Sequence, residues 1–104
     1  MINKGQILNE IKQAVLSVDS QAEIVLFGSR ARGDYKEESD WDVLILMEKE
    51  QGDWKHVRSI MDVVYDVELK NHQIITPIIR NKKFWDDHRV TLLFKEVEKD
   101  GIIL

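Results

Sequence analysis

Two aspartates separated by one residue are the first feature of this chain that suggests chemistry. Asp40 and Asp42 stand at the start of the apolar run 41–47, WDVLILM, which has the composition of a strand. Because side chains alternate between the two faces of a strand, both carboxylates point the same way and lie close together. Two such charges repel each other, which raises their pKa values or favours a bound cation, and Mg²⁺ prefers oxygen ligands of this kind.

A glycine–serine turn precedes this pair. Gly28 and Ser29 end the apolar run 22–27, AEIVLF. Glycine lets the main chain approach a ligand, and free N–H groups at the start of a helix suit a phosphate. Arg32 lies in the same turn, where its guanidinium either clamps phosphate oxygens or pairs with acids of the loop. A phosphate-binding turn close in sequence to a metal-binding pair indicates phosphoryl or nucleotidyl transfer.

The elements that position these residues follow from hydrophobic periodicity. The patterns predict, in order, a helix over 6–18, a strand over 22–27, a loop over 28–40 with at most one helical turn, a strand over 41–47, a helix over 54–69, a strand over 72–79 and one or two helices over 83–99. Asn3 is the expected N-cap of the first helix, Pro77 indicates an edge strand or a bulge, and Gly101 ends the last helix. If the first two strands are hairpin-like neighbours, the glycine turn and the aspartates share one edge of the sheet.

The second strand is apolar on both faces. The odd-numbered residues from Trp41 to Met47 share one face, whereas Leu44 and Leu46 share the other. Helices or a partner subunit must therefore cover both sides of the sheet. The apolar residues at 84–85 and 92–94 are more than so small a core absorbs, so the last helix is also a candidate protein interface.

Composition narrows the class of protein. The chain has 104 residues and no cysteine, and 19 acids against 15 lysines and arginines give a net charge of −4. We interpret 1–104 as one domain without disulfides. The acidic balance disfavours duplex DNA as a partner. The amino terminus lacks the apolar run of a signal peptide, and no stretch reaches the ~20 apolar residues of a membrane span, so we expect a cytoplasmic protein that does not bind membranes.

A longer motif joins the turn to the aspartates. The string GSRARG followed by SDWDVLIL, within residues 28–46, resembles the G-S-x-x-x-G…S-D-x-D-h-h-h signature of the DNA polymerase β-like nucleotidyltransferase superfamily, and most closely its minimal nucleotidyltransferase branch. The resemblance implies an α+β fold in which a small mixed sheet is flanked by helices. It also implies transfer of a nucleoside monophosphate, with ATP as the expected donor, to a hydroxyl with release of pyrophosphate. By the same resemblance, Gly28 and Ser29 bind the triphosphate, and Asp40 and Asp42 hold Mg²⁺ and are catalytic.

One strand departs from that signature. Active members of the superfamily carry a third acid on a later core strand, whereas residues 73–79 read QIITPII. Glu68, on the preceding helix, replaces that acid only if the helix end leans over the site. Two hypotheses follow from the resemblance: an active nucleotidyltransferase, or a catalytically weakened binding module that acts as a partner-binding antitoxin.

The resemblance also implies a partner. Members of the minimal branch resemble antitoxins encoded beside a small helical toxin of the HEPN type, which they silence by adenylylation. A chain of 104 residues leaves no room for a separate acceptor-binding domain, so we expect a protein acceptor of this type, or a second copy in a homo-oligomer. Tyr35, beside the turn, is either a surface tyrosine or an acceptor in self-modification.

Overall fold

The computed structural model describes residues 3–104, which form five helices and four strands. They are α1 (Lys4–Val18), β1 (Glu23–Phe27), α2 (Ser29–Arg32), β2 (Trp41–Met47), α3 (Trp54–Asn71), β3 (Ile75–Asn81), α4 (Lys82–Asp87), α5 (Leu92–Asp100) and β4 (Ile102–Ile103). The predicted N-cap of α1 is confirmed, because the Asn3 side chain accepts a hydrogen bond from the Gln6 N–H at 3.0 Å. No helix among these residues is long and apolar enough to span a lipid bilayer.

The four strands form one mixed sheet in the order β3-β2-β1-β4. β1 runs antiparallel to β2 and to β4, whereas β2 and β3 are parallel. The predicted α+β fold with a small mixed sheet is therefore confirmed. Phe27 stands opposite Asp42, so the end of β1 and the start of β2 meet at one edge of the sheet, as a hairpin-like pair requires. Pro77 lies on β3, an edge strand, where the missing N–H is tolerated.

One face of the sheet packs against α1 and α3 and forms the larger core. Its buried side chains are Ile7, Ile11, Val15, Ile24, Leu26, Trp41, Val43, Ile45, Met47, Ile60, Val64, Val67, Ile75 and Ile79. The helical members recur at spacings of three and four, which is the period that places apolar residues on one side of a helix. This face is the main hydrophobic core of the molecule.

The opposite face packs against α5 and α4 over a smaller core. Val25, Phe27, Leu44, Leu46 and Val97 are buried there. Because the side chains of β2 alternate, the same strand serves both cores, and the prediction that both of its faces are covered is confirmed. Asp42, two residues before Leu44, lies on this second face, so α5 covers the sheet beside it.

β3 begins later than the periodicity predicts. α3 continues to Asn71 and ends at His72, whose φ of 54° is left-handed. The side chain of Gln73 accepts a hydrogen bond from the Trp41 indole at 3.0 Å. Residues 72–74 therefore turn the chain from the helix into the sheet, and the strand starts only at Ile75.

Candidate active site

The two aspartates of the motif lie where β1 ends and β2 begins. Asp42 is flanked on both sides, by Phe27 on the antiparallel strand β1 and by Thr76 on the parallel strand β3. Asp40 precedes β2 by one residue, and its Oδ2 accepts a hydrogen bond of 3.3 Å from the Thr76 hydroxyl. The central position of β2 in the sheet thus places both carboxylates at one edge, between three strand ends.

Gly28 brings main chain directly against one of these carboxylates. A Cβ at this position would lie 2.3 Å from the Oδ2 of Asp42, so the carboxylate would have to move. The residue also has a φ of 74°, a conformation that residues with a side chain rarely adopt. Gly28 therefore has two functions: it allows the turn, and it leaves room for the Asp42 carboxylate. Ser29 follows it at the start of the single-turn helix α2.

The pKa of the Asp42 carboxyl is raised above its ordinary value. Burial is the largest cause, because it takes water away from the charged form, and the charges of Asp40 and Glu96 add to the effect. Arg32 acts in the opposite direction. The ionised form of Asp42 is thus disfavoured in the folded chain, and a nearby positive charge would favour it.

Arg32 is the cation that lowers the pKa of the Asp42 carboxyl. Its Nε lies 3.3 Å from the Asp34 carboxylate, and its Nη1 lies 3.3 Å from the Glu96 carboxylate on α5. The side chain is 38% exposed, so both ion pairs are reachable by solvent and can be exchanged for another anion at little cost. The arginine thereby connects the glycine turn to α5 across the mouth of the site.

Comparison with known proteins identifies the family. A family model described as "Nucleotidyltransferase domain" matches residues 6–100 of the chain. The chain belongs to the nucleotidyltransferase domain family. The match includes the turn and both aspartates, and it confirms the predicted superfamily and the assignment to this class of enzyme.

Individual relatives agree with this assignment. The chain is 38% identical over 99 residues to the "Putative protein adenylyltransferase MJ0141" of Methanocaldococcus jannaschii, which covers 93% of this chain and 94% of that protein. A "putative nucleotidyltransferase from Sulfolobus solfataricus" is similar with a TM-score of 0.58 and 26% identity, over 94% of this chain and 76% of that one. A chain from the crystal structure of a toxin–antitoxin with AMP-PNP has a TM-score of 0.66 at 17% identity, over 91% and 69% of the two chains, and shares the fold.

On β3, a threonine lies beside the two aspartates of the nucleotidyltransferase domain. Thr76 is the register partner of Asp42, and within residues 3–104 no group of three histidine or acidic side chains is arranged to hold one metal ion. Glu68, the alternative acid on α3, accepts a hydrogen bond of 2.8 Å at its Oε2 from the Ile75 N–H. The absence of an acid from the third strand, expected from the sequence, is thus a feature of the folded site.

The two arginines of the turn have different environments. Arg30 is only 6% exposed, and its guanidinium donates to the main-chain carbonyls of Ser39 and Glu37 at 3.0 Å. It also stacks on the rings of Tyr35 and Trp41, at 4.5 and 4.2 Å from their centroids. Arg30 therefore holds the loop that leads to the aspartates, whereas Arg32 is the exposed arginine of the turn.

Glu96 is the residue of the site that sequence reasoning missed. It comes from α5, 64 positions after Arg32, and it bears on both Arg32 and the charge of Asp42. No motif marks it, because its position depends on how α5 packs on the second face of the sheet. The one indication in the sequence is that Glu96 directly precedes the apolar Val97, which predicts a place at the edge of the buried side of α5.

Proposed function

We propose that this nucleotidyltransferase domain transfers a nucleoside monophosphate from ATP to a hydroxyl of a partner protein, with Mg²⁺ bound at Asp40 and Asp42. The observation that carries the proposal is the Asp42 carboxylate, held against the main chain of Gly28 with a raised pKa and with Asp40 beside it. A metal site of two acids next to a glycine turn is the arrangement that phosphoryl-group chemistry uses.

The residues present suit a hard divalent cation. The donors are carboxylate oxygens, and a hydroxyl, that of Thr76, lies 3.3 Å from Asp40. A raised pKa at Asp42 means that its ionised form gains from an adjacent positive charge. Mg²⁺ takes one or two carboxylates and completes its shell with water and phosphate oxygens, so two acids suffice to hold it. When bound, the ion would neutralise phosphate charge and orient the transferred group.

Gly28, Ser29 and Arg32 would bind the triphosphate. The main chain at Gly28 already lies in contact with Asp42, so a phosphate at this turn would be adjacent to the carboxylate pair. Arg32 would exchange its exposed pairs with Asp34 and Glu96 for phosphate oxygens, which a guanidinium binds with two parallel hydrogen bonds.

The reaction balances without another co-reactant. The acceptor oxygen forms a bond to the α-phosphorus, the bond from that phosphorus to the bridging oxygen of the β-phosphate breaks, and pyrophosphate leaves. The acceptor hydroxyl loses its proton to solvent or to an ionised carboxylate of the pair. The task of the side chains is to hold the donor in line with the acceptor and to balance the charge of the phosphates.

A protein hydroxyl is the acceptor we propose. The name of the Methanocaldococcus relative specifies a protein adenylyltransferase, and that relative matches over nearly its whole length. A structural neighbour belongs to a toxin–antitoxin with AMP-PNP. We therefore propose a toxin of the small helical HEPN type as the partner, and the domain as the antitoxin that adenylylates it.

A labelling assay tests this proposal. The chain is incubated with Mg²⁺, ATP labelled at the α-phosphate and the protein encoded by the neighbouring gene, and both pyrophosphate and labelled protein are measured. We expect Asp40→Asn and Asp42→Asn to lower the rate by about 100-fold or more, since an ion clamped on the phosphates contributes several kcal/mol. Glu38→Gln, a change of the same charge on an exposed loop acid, serves as the control and should retain the rate. Labelling by both aspartate variants at the wild-type rate would refute the proposed metal role.

A binding measurement separates metal binding from turnover. Mg²⁺ should raise the melting temperature of the wild-type chain, because a ligand that binds only the folded state stabilises it. The same concentration should leave Asp42→Asn unchanged. If Mg²⁺ stabilises the chain but no protein is labelled, the metal assignment stands and the transfer activity fails.

Thr76 supports one second candidate function. A threonine in register with Asp42, where active members of the superfamily carry an acid, is compatible with a nucleotide-binding domain whose turnover is weakened and which silences its partner by binding alone. Thr76→Asp distinguishes the two: a large gain in labelling by this variant, over an inert wild type that still binds its partner, would favour the binding module.

A further inference from the structure

α3 exposes an apolar stripe on the side that faces away from the core. Trp54, Met61, Tyr65 and Leu69 follow one another along the helix, and Trp54 is 78% exposed while the other three are about half exposed. Fifteen residues separate the first from the last, which is about 22 Å of helix at 1.5 Å per residue. Residues of this size on one continuous stripe indicate an interaction surface, where scattered single residues would not.

The charges beside the stripe are segregated by sign. Along α3, the basic residues Lys55 and Arg58 come before the acidic residues Asp62 and Asp66. All four are exposed, and none forms an ion pair with another group among residues 3–104. Helical spacing places Lys55, Asp62 and Asp66 along the same flank of the stripe. The exposed face of the helix therefore carries two basic residues followed by two acidic ones, and these four are available to pair outside the molecule.

We propose that the stripe is the interface between two copies of this chain, with the α3 helices antiparallel and the two-fold axis near Met61. A two-fold axis across the helix direction keeps each flank on its own side and reverses the sequence order. Lys55 of each copy then meets Asp66 of the other, and Arg58 meets Asp62. The pairs are centred at positions 60 and 60.5, within one helical residue of Met61, so one axis satisfies both.

The apolar residues obey the same symmetry. An axis near Met61 places Trp54 of each copy against Leu69 of the other, which covers the most exposed side chain of the stripe. Met61 lies at the centre, where the two copies are closest. A shallow depression of about 530 Å³ lies beside it, bounded by Trp54 and Arg58 among others, and gives the flexible methionine of the second copy a place to pack.

The neighbouring edge strand argues against an added strand as the occupant. Trp41 donates its N–H to the carbonyl of Ile74, so the alternate residues 75, 77, 79 and 81 of β3 turn their main chain away from β2. The Ile75 N–H is bound by the Glu68 carboxylate, Pro77 has no N–H, and the Asn81 N–H donates to the side chain of Gln51. Most of the outward donors of this edge are thus blocked, and a helix face is the better fit.

The interface is separate from the active site. α3 covers the sheet face of the larger core, whereas Asp42 and Glu96 lie on the face that α5 covers. A dimer formed through α3 leaves both copies of the carboxylate pair open. The inference therefore does not depend on the proposed function, and its test needs neither nucleotide nor metal.

Mass measurement in solution tests the interface. Light scattering after gel filtration should give twice 12.2 kDa at micromolar concentration. Met61→Glu places two like charges across the axis and should raise the dissociation constant at least about tenfold. Val90→Glu, which puts the same charge on an 86% exposed apolar residue far from α3 in sequence, is the control and should dimerise as wild type does. Circular dichroism verifies that both variants fold.

A charge exchange tests the antiparallel arrangement itself. Lys55→Glu and Asp66→Lys should each weaken the dimer, because every copy then meets a like charge twice. Mixing the two single variants should restore a dimer containing one of each, and the double variant should again dimerise with itself. This recovery is expected only if Lys55 meets Asp66 of the second copy.

Three results would overturn the inference. A wild-type chain that stays monomeric at a few hundred micromolar, including one whose stripe is instead covered by the protein of the neighbouring gene, excludes a second copy as the occupant. A dimer that survives Met61→Glu uses another surface. A dimer that Met61→Glu breaks, but that the mixed charge variants fail to restore, excludes the antiparallel pairing.

Discussion

The two faces of the sheet differ in the direction in which they shift the pKa of a carboxylate. On the side of α1 and α3, Glu10 accepts hydrogen bonds from Lys70 and Asn71, which lower the pKa of its carboxyl. On the side of α5, Asp42 is half-buried beside Asp40 and another acid, and its pKa is raised. One face gains stability when its carboxylate ionises, and the other loses stability.

The difference separates a region whose carboxylate stabilises the fold from a region whose carboxylate does not. The larger core and its ion pairs need no ligand to be satisfied. The carboxylates of the second face are tolerated in the folded chain although they repel each other, and a bound cation would remove that penalty. Perturbed carboxylates at one edge of a fold are therefore a better guide to a functional site than acidic residues in general.

The largest expected effect compares the two cores through neighbouring residues of β2. Ile45 and Leu44 have side chains of the same number of carbon atoms, and both are fully buried, one in each core. We expect Ile45→Ala to lower the free energy of unfolding by about 4 kcal/mol and Leu44→Ala by about 3 kcal/mol. Trp85 and Leu93 line the smaller core and are only partly buried, so they can move into the cavity.

Urea denaturation measures both free energies, provided that the slope of the unfolding free energy against urea concentration is the same in the variants and the wild type. The comparison between the two faces would fail if Leu44→Ala were the more damaging of the two, because the smaller core would then be the more tightly packed one.

The next effect compares the two arginines of the turn. Methionine keeps the stem of the side chain and removes only the guanidinium. Arg30→Met should cost about 2 kcal/mol of unfolding free energy, because the carbonyls of Glu37 and Ser39 lose a buried donor and two aromatic rings lose their cation. Arg32→Met should change it by less than about 0.5 kcal/mol, since its ion pairs are exposed.

Nucleotide binding should show the reverse order. With labelled ATP as the ligand, Arg32→Met should weaken binding, while Arg30→Met, once shown to be folded, should bind as wild type does. Equal losses of stability in the two variants would mean that Arg32 also supports the loop.

The local parts of this molecule could be predicted from sequence. β2 has the bounds 41–47 that its apolar run indicated, and the period of the apolar residues in α1 and α3 located both helices to within a few residues. Strand alternation predicted that Asp40 and Asp42 lie close together, although Asp40 precedes β2 by one residue. These features depend on residues close in sequence, where steric and periodic rules act directly.

The parts that could not be predicted depend on distant contacts. Glu96 reaches the site only because α5 packs on the second face, and two residues of β4 pair with β1 after a turn at Gly101. Gly101 ends α5 as predicted, with a φ of −63°, but the close approach of its Cα to the chain could not be foreseen: a Cβ would lie 2.4 Å from the Val97 carbonyl. The spacing of residues along the chain does not indicate such a close contact between main-chain atoms.

A smaller effect separates the two kinds of carboxylate by pH. The pKa of Asp42 is higher in the folded chain than in the unfolded one, so the folded state holds its proton more tightly and stability falls as pH rises through that range. Asp42→Asn removes this loss. With a chelator present, the variant should be more stable than wild type at neutral pH, and the gain should vanish below the unfolded-state pKa of about 4.

Melting temperatures measured from acid to neutral pH provide the curve. Glu38→Gln, an exposed change of the same charge, corrects for the altered net charge. A variant that is less stable than wild type at every pH would show that the Asp42 charge supports the fold and does not strain it.

The smallest effect has the opposite sign and belongs to the other face. Hydrogen bonds from Lys70 and Asn71 lower the pKa of Glu10 in the folded chain, so its ionised form adds stability above the unfolded-state pKa. Glu10→Gln should therefore lower the melting temperature slightly at neutral pH and have no effect at a pH below the folded-state pKa. High salt should shrink the loss because Lys70, the charged partner, is exposed to solvent. If the loss instead persisted unchanged into acid, Glu10 would act through packing, and the contrast between a stabilising carboxylate on one face and a strained one on the other would have to be drawn from Asp42 alone.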